Sequence, residues 1–195
     1  MQEKIIIGID LAGVEKNPTG WALWKNKVVS ACHIYDDQEI SEHLTKLEPT
    51  IIAIDAPLSL PKKGTMRRAD REMHKHGYPV FPPRSPTMEK LALRAIKITQ
   101  KVKREEFRII EVHPASTRKA LKIPTKNRKR IQDIFLRMGL KGDLETLVLT
   151  SHEIDAVTAA LTGYLHLQEK TELIGDVEEG YIVVPTKGNW RRLKL

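Results

Sequence analysis

Lys4-Ile5-Ile6-Ile7-Gly8-Ile9-Asp10 is apolar at nearly every position and stops on an acid. A short run without polar alternation predicts a central strand covered on both faces. Forward from it, Asn17-Pro18-Thr19-Gly20 is turn chemistry, residues 21–24 predict a second strand, and Lys25-Asn26-Lys27 turns tightly into a third over Val28–Ile34. Three strands joined by short turns make an antiparallel meander. Trp21 and Trp24 lie three apart, on opposite faces of a strand, so only one of them is expected in a core. Ile40, Leu44 and Leu47 at helical spacing predict a helix over 37–48 that stops near Pro49. Residues 50–55 are again apolar and again end in Asp, and a strand reached through a helix is expected parallel to the first. Residues 107–112 predict a fifth.

These elements imply an α/β fold: a five-stranded mixed sheet, the first three strands antiparallel, the fourth and fifth parallel to the first, flanked by helices. Residues 56–86 change character, being rich in Pro, Arg and His with little apolar periodicity, and predict a long functional loop with a helical excursion at 66–76. Further helices are expected over 87–103, from Pro114, over 127–138, and from the capping box Thr150-Ser151-His152-Glu153 to Leu167, with a last short strand at 180–185. The whole is expected to be one domain, 1–195, carrying a basic, Pro-rich insertion at about 56–104.

With a single cysteine, Cys32, no intramolecular disulfide can form, and 195 residues bury enough surface to need none. No apolar run is long enough to span a membrane and the N-terminus lacks a signal-peptide core, so the cytoplasm is the expected compartment. Five Gln and four Asn among so many charges lean towards a heat-adapted source. The net charge of +8 is unevenly spread. Residues 62–108 hold fourteen Lys/Arg against five Asp/Glu, residues 116–142 hold nine against one, and the remainder is acidic. Concentrating like charge in this way points to a polyanionic partner, nucleic acid above all, DNA or RNA. Arg67, Arg68, Arg71, Arg84, Lys126 and Arg128 are the candidate phosphate contacts. The plainer alternative is a solvated basic face.

Three strands end in or beside an acid: Asp10, Asp55 and, in Ile-Ile-Glu-Val-His-Pro, Glu111. Parallel strands finish at one sheet edge, where α/β folds bind ligands. A fourth acid, Asp155, borders the buried stripe at the first turn of the last long helix. Carboxylates gathered there repel one another unless a cation lies between them, and a hard divalent ion, Mg²⁺ or Mn²⁺, suits oxygen ligands better than zinc does. His113, beside Glu111, is a candidate proton shuttle. Glu153 is expected to serve the capping box instead.

Several strings resemble the family called domain of unknown function 429, a predicted nuclease family with a ribonuclease H-like fold. They are Ile7-Gly8-Ile9-Asp10-Leu11-Ala12-Gly13 with Thr19-Gly20, Ile54-Asp55-Ala56-Pro57-Leu58, Arg68-Ala69-Asp70-Arg71, Glu111-Val112-His113-Pro114, His152-Glu153-Ile154-Asp155-Ala156 and Glu179-Gly180-Tyr181-Ile182-Val183-Val184-Pro185. They run in order along almost the whole chain. The resemblance implies a ribonuclease H-like fold in which Asp10, Asp55 and Asp155 bind two metal ions, with Glu111 as the further acid. The expected activity is two-metal phosphodiester hydrolysis on nucleic acid. Two alternatives stand beside it: binding of nucleic acid or a small phosphorylated ligand without cleavage, and ATP-dependent phosphotransfer. The latter needs a second Gly-rich phosphate loop, which the chain lacks.

Overall fold

The computed structural model describes residues 4–102, 107–193 and 195. The expected ends at 103 and 104 lie outside them. Strand β1 (Ile5–Asp10) pairs antiparallel with β2 (Thr19–Lys25), which pairs antiparallel with β3 (Val28–Ile34), giving the expected meander. Helix α1 (Asp37–Leu47), capped by Asp36, returns the chain to β4 (Ile51–Asp55), parallel to β1. Helices α2 (Arg68–Lys75) and α3 (Pro86–Val102) precede β5 (Ile109–Val112), parallel to β4.

Then come α4 (Pro114–Ala120), α5 (Arg128–Arg137), the two-residue β6 (Lys141–Gly142), α6 (Asp143–Thr146), α7 (Ser151–Leu167) and the hairpin β7 (Thr171–Asp176) with β8 (Gly180–Pro185). The sheet order is β6-β3-β2-β1-β4-β5-β8-β7. The described sheet thus has eight strands where five were expected. The five lie at its centre with the expected directions; β6 joins outside β3, and the β8–β7 hairpin extends it beyond β5. Among the described residues no helix is long and apolar enough to cross a membrane.

Both faces of the sheet are covered. Ile6, Ala22, Trp24 and Ala53 pack against α7 and the α4–α5 region, whereas Ile7, Ile9, Trp21, Ile52 and Ile54 pack against α1 and α3. Trp21 and Trp24 are therefore both buried, each in a different core, which corrects the expectation that one would face solvent. The alternation argument assumed a one-sided strand, and β2 is two-sided.

Two glycines set how closely α7 lies on the sheet. A Cβ at Gly8 would stand 2.0 Å from the Ala156 carbonyl oxygen, and one at Gly20 2.1 Å from that of His152. The backbone of α7 rests directly on β1 and β2, with Ala156, Ala159 and Ala160 fully buried beneath it. Gly20→Ala is expected to force the first turn of α7 off the sheet. Overpacking of this kind costs about 1–3 kcal/mol. A thermal melt checks it, and an unchanged midpoint would contradict the contact.

Candidate active site

Asp10 and Asp55, the last residues of β1 and β4, are register partners in adjacent parallel strands, so both side chains project to one face at the C-terminal edge of the sheet. That is the face on which Gly8 receives α7. The helix delivers two more groups there. His152 Nδ1 lies 2.7 Å from Asp10 Oδ2, and Asp155 is gripped by Arg118 of α4. Thr150 and Glu153 form the capping box that starts the helix, so Glu153 is consumed locally as expected. Burial raises the Asp10 carboxyl above the usual carboxylate range; the His152 hydrogen bond opposes this and the charge of Asp155 adds to it. Asp55 is pushed well above that range by burial first, then by the charges of Asp10 and Asp155.

Nothing in the sequence singles out Arg118, yet it is the cation facing this cluster. It is buried, and its Nη1 donates to Asp155 Oδ1 and, at 3.1 Å, to Thr158 Oγ1. Its Nε is the one buried side-chain polar atom without a hydrogen-bond partner among the described residues. One guanidinium faces three aspartates, so the cluster keeps an excess of negative charge.

Glu111 sits apart from them. Its register partner is Ile54, not Asp55, which directs it to the opposite face from Asp10 and Asp55, while Ile110 and Val112 fill the core under α7. There it meets Arg67. The guanidinium donates Nη1 to Glu111 Oε2 at 2.7 Å and Nη2 to Oε1 at 2.5 Å, then Nε and Nη2 to Asp70 at 3.1 and 2.8 Å, and Nη1 to Ser59 at 3.0 Å. All five of its N–H donors are used. Burial pushes Glu111 up, while the Arg67 fork and the Leu58 N–H at 2.8 Å pull the other way. Arg67 is itself 1 % exposed, so it is a structural rivet with no donor left for phosphate.

The other basic candidates divide. Arg68 pairs with Glu72, Arg84 with Glu89, and Arg71 donates to the Met66 carbonyl. Lys126 and Arg128 are exposed at the approach to α5, with no contact to the carboxylates. His113 caps α4, with Nδ1 2.7 Å from Ser116 Oγ. Burial, helped by the charge of Arg118, lowers it to about 4, which leaves its imidazole neutral near pH 7.

A cavity of about 210 Å³ opens beside these groups. Asp10, Asp55, Glu111 and His113 line its polar side; Leu11, Pro57, Phe81, Met88 and Leu91 line its apolar one. Among the described residues no group of three His, Cys, Asp or Glu side chains is arranged as a ready metal cage. The donor chemistry nevertheless fits a hard cation. Asp10 and Asp55 offer oxygen ligands side by side, and their raised proton affinity reflects missing positive charge.

No curated protein sequence matches the chain. Among solved structures it is similar to RuvC of T. thermophilus in complex with Holliday junction substrate, at 14% identity over 85% of this chain and 96% of that one, with a TM-score of 0.55. It also matches a second Thermus thermophilus RuvC structure at 15% identity, the same coverages and a TM-score of 0.46. The first likeness establishes the ribonuclease H-like fold expected from the sequence, the fold of a nuclease. A family model described as a protein of unknown function, DUF429, matches residues 8–179, and with that match over most of its length the chain belongs to the DUF429 family.

Proposed function

We propose that this protein is a metal-dependent nuclease that hydrolyses phosphodiester bonds, with Asp10, Asp55 and Asp155 as its central carboxylates. The observation that carries this reading is the register pair Asp10–Asp55 at the sheet edge, under-neutralised and joined there by the first turn of α7. Mg²⁺ or Mn²⁺ held by Asp10 and Asp55 supplies the Lewis acidity and nucleophile activation that such a hydrolysis needs. Asp155 completes the donor set when it exchanges Arg118 for the ion. Glu111 acts through Arg67, fixing the loop that walls the cavity.

His152, half-exposed and hydrogen-bonded to Asp10, is placed to carry protons between the site and solvent. It takes over the role the sequence suggested for His113, whose lowered proton affinity makes it a poor carrier near neutral pH. The chain would work as a single domain on DNA or RNA.

Calorimetric titration with Mn²⁺, paired with cleavage assays on single-stranded, duplex and branched nucleic acid, tests the reading. Wild type is expected to bind Mn²⁺ and cleave at least one substrate, and Asp10→Asn to lose both. Saturable Mn²⁺ binding without cleavage would favour the binding-only alternative. An Asp10→Asn protein that still cleaves would remove the assignment.

A further inference from the structure

The positive charge of this chain is not spread evenly in space, and most of the part expected to grip phosphate near the carboxylates is spent internally. In the 56–86 loop and α2, Lys62 pairs with Glu178, Arg67 with Glu111 and Asp70, Arg68 with Glu72, and Arg84 with Glu89. A different surface keeps its cations. Two adjoining depressions, of about 640 and 190 Å³, meet at Lys122 beyond the end of α4. Lys122, Arg130, Arg137, Lys187, Arg191 and Arg192 line them, and Asp133 is the single carboxylate among their lining residues. Among the described residues no ion pair engages any of these six cations.

The groove is built rather than incidental. The segment after β8 is stitched to the end of α4 by backbone hydrogen bonds from Gly188 to the Ala120 carbonyl and from Trp190 to that of Leu121, both 2.9 Å. Trp190 is buried, with the Arg191 guanidinium stacked 4.7 Å from its ring centroid, and Lys187 lies 5.8 Å from the ring centroid of Tyr78. These contacts hold cations in place without neutralising them. The groove also begins next to the carboxylates in sequence. Arg118 turns to Asp155, and the following Lys119 turns outward into the larger depression, its Nζ on the Gly77 carbonyl at 2.7 Å.

We infer that this groove, formed by the α4–α5 connection, one side of α5 and the segment after β8, is the seat of a nucleic-acid backbone. It is too open for one phosphate, and its unpaired cations come from three separate chain segments, as a repeating polyanion requires. The class of partner rests on the nuclease reading above; the location does not.

Fluorescence anisotropy with a labelled 20-bp DNA duplex, in EDTA so that nothing is cut, tests it across a salt series. Lys122, Arg130, Lys187 and Arg192 are replaced together by Gln in one variant, and Lys62, Arg68, Arg71 and Arg84 in another. Both remove four positive charges, so a mere net-charge effect weakens both alike. The groove variant is expected to lose at least about thirtyfold in affinity and about three units of the log–log salt slope, one per lost phosphate contact. The second variant is expected to stay within threefold of wild type. Thermal melts confirm folding, and Lys187→Gln with Arg192→Gln alone, expected to give an intermediate loss, serves if the fourfold variant unfolds. Equal losses in the two variants, or no salt-sensitive binding by wild type, overturn the inference. Metal-dependent cleavage decides the nuclease reading separately: cleavage with an unaffected groove variant sinks only the groove, and groove-dependent binding without cleavage sinks only the nuclease.

Discussion

Metal-free Asp55→Asn protein is expected to melt higher than wild type at neutral pH, while metal-dependent cleavage falls by at least about a hundredfold, as when a preorganised charge-stabilising group is lost. The two effects have one cause. The Asp55 carboxyl is pushed well above its ordinary range, so the folded state holds a proton more tightly than the unfolded chain does. Asp10 is displaced in the same direction. Where the folded state binds more protons, stability declines as pH rises. The metal-free wild type should therefore lose stability from about the ordinary carboxylate pKa upward, through the elevated folded values, and stay at its minimum above them. Each tenfold difference in proton affinity between the folded and unfolded chain corresponds to about 1.4 kcal/mol, and each kcal/mol moves the midpoint of a chain this size by roughly 2–4 °C. Asparagine removes the ionisation and the repulsion together. Melting curves between pH 4 and 8 in EDTA check this: the wild-type slope should flatten in Asp55→Asn, and saturating Mn²⁺ should raise the wild type alone. A variant that melts lower across the whole range would contradict the like-charge account.

The second large effect belongs to Arg67. Arg67→Met leaves Glu111 and Asp70 buried without their counter-charge, and breaking a buried pair by removing one partner costs about 3–5 kcal/mol. Here one guanidinium serves two carboxylates, which favours the upper end. Arg67→Lys should rescue little, because an ammonium cannot present a planar fork to both acids. Urea denaturation is the measurement, with the midpoint expected to fall sharply in both variants. A near-wild-type midpoint for Arg67→Met would mean that the triad is protonated and merely hydrogen-bonded.

Arg67 also shows where sequence reading stops. A basic residue in a basic, proline-rich loop looks solvent-directed, and composition carries no record of burial. The local signal was Asp70 three residues on, whose carboxylate accepts from the Arg67 backbone N–H at 2.7 Å. Glu111 was legible as a strand-end acid but not its face, since a one-residue difference in register sends a side chain to the other side of a sheet. Asp10 and Asp55 were legible because each closes an apolar run, and the structure pairs them in register. His152 was within reach of the sequence: three residues before Asp155, it shares that residue's side of the helix. Arg118 was hidden in a run of cations, where helical phase decides which one turns inward. The central strands announced themselves by continuous apolar runs. β7 has a single buried residue, Ile174, and β6 is only two residues long, so neither leaves a pattern to read.

The glycine seat of α7 has a consequence for how the site tolerates change. Where two backbones touch through Gly8 and Gly20, no rotamer or repacking lies between the strand bearing Asp10 and the helix bearing His152 and Asp155. The gauge of the site is machined in main chain. Loops around the cavity can then diversify, lengthen or exchange specificity without detuning the carboxylates, whereas a single methyl group at either glycine reaches them all.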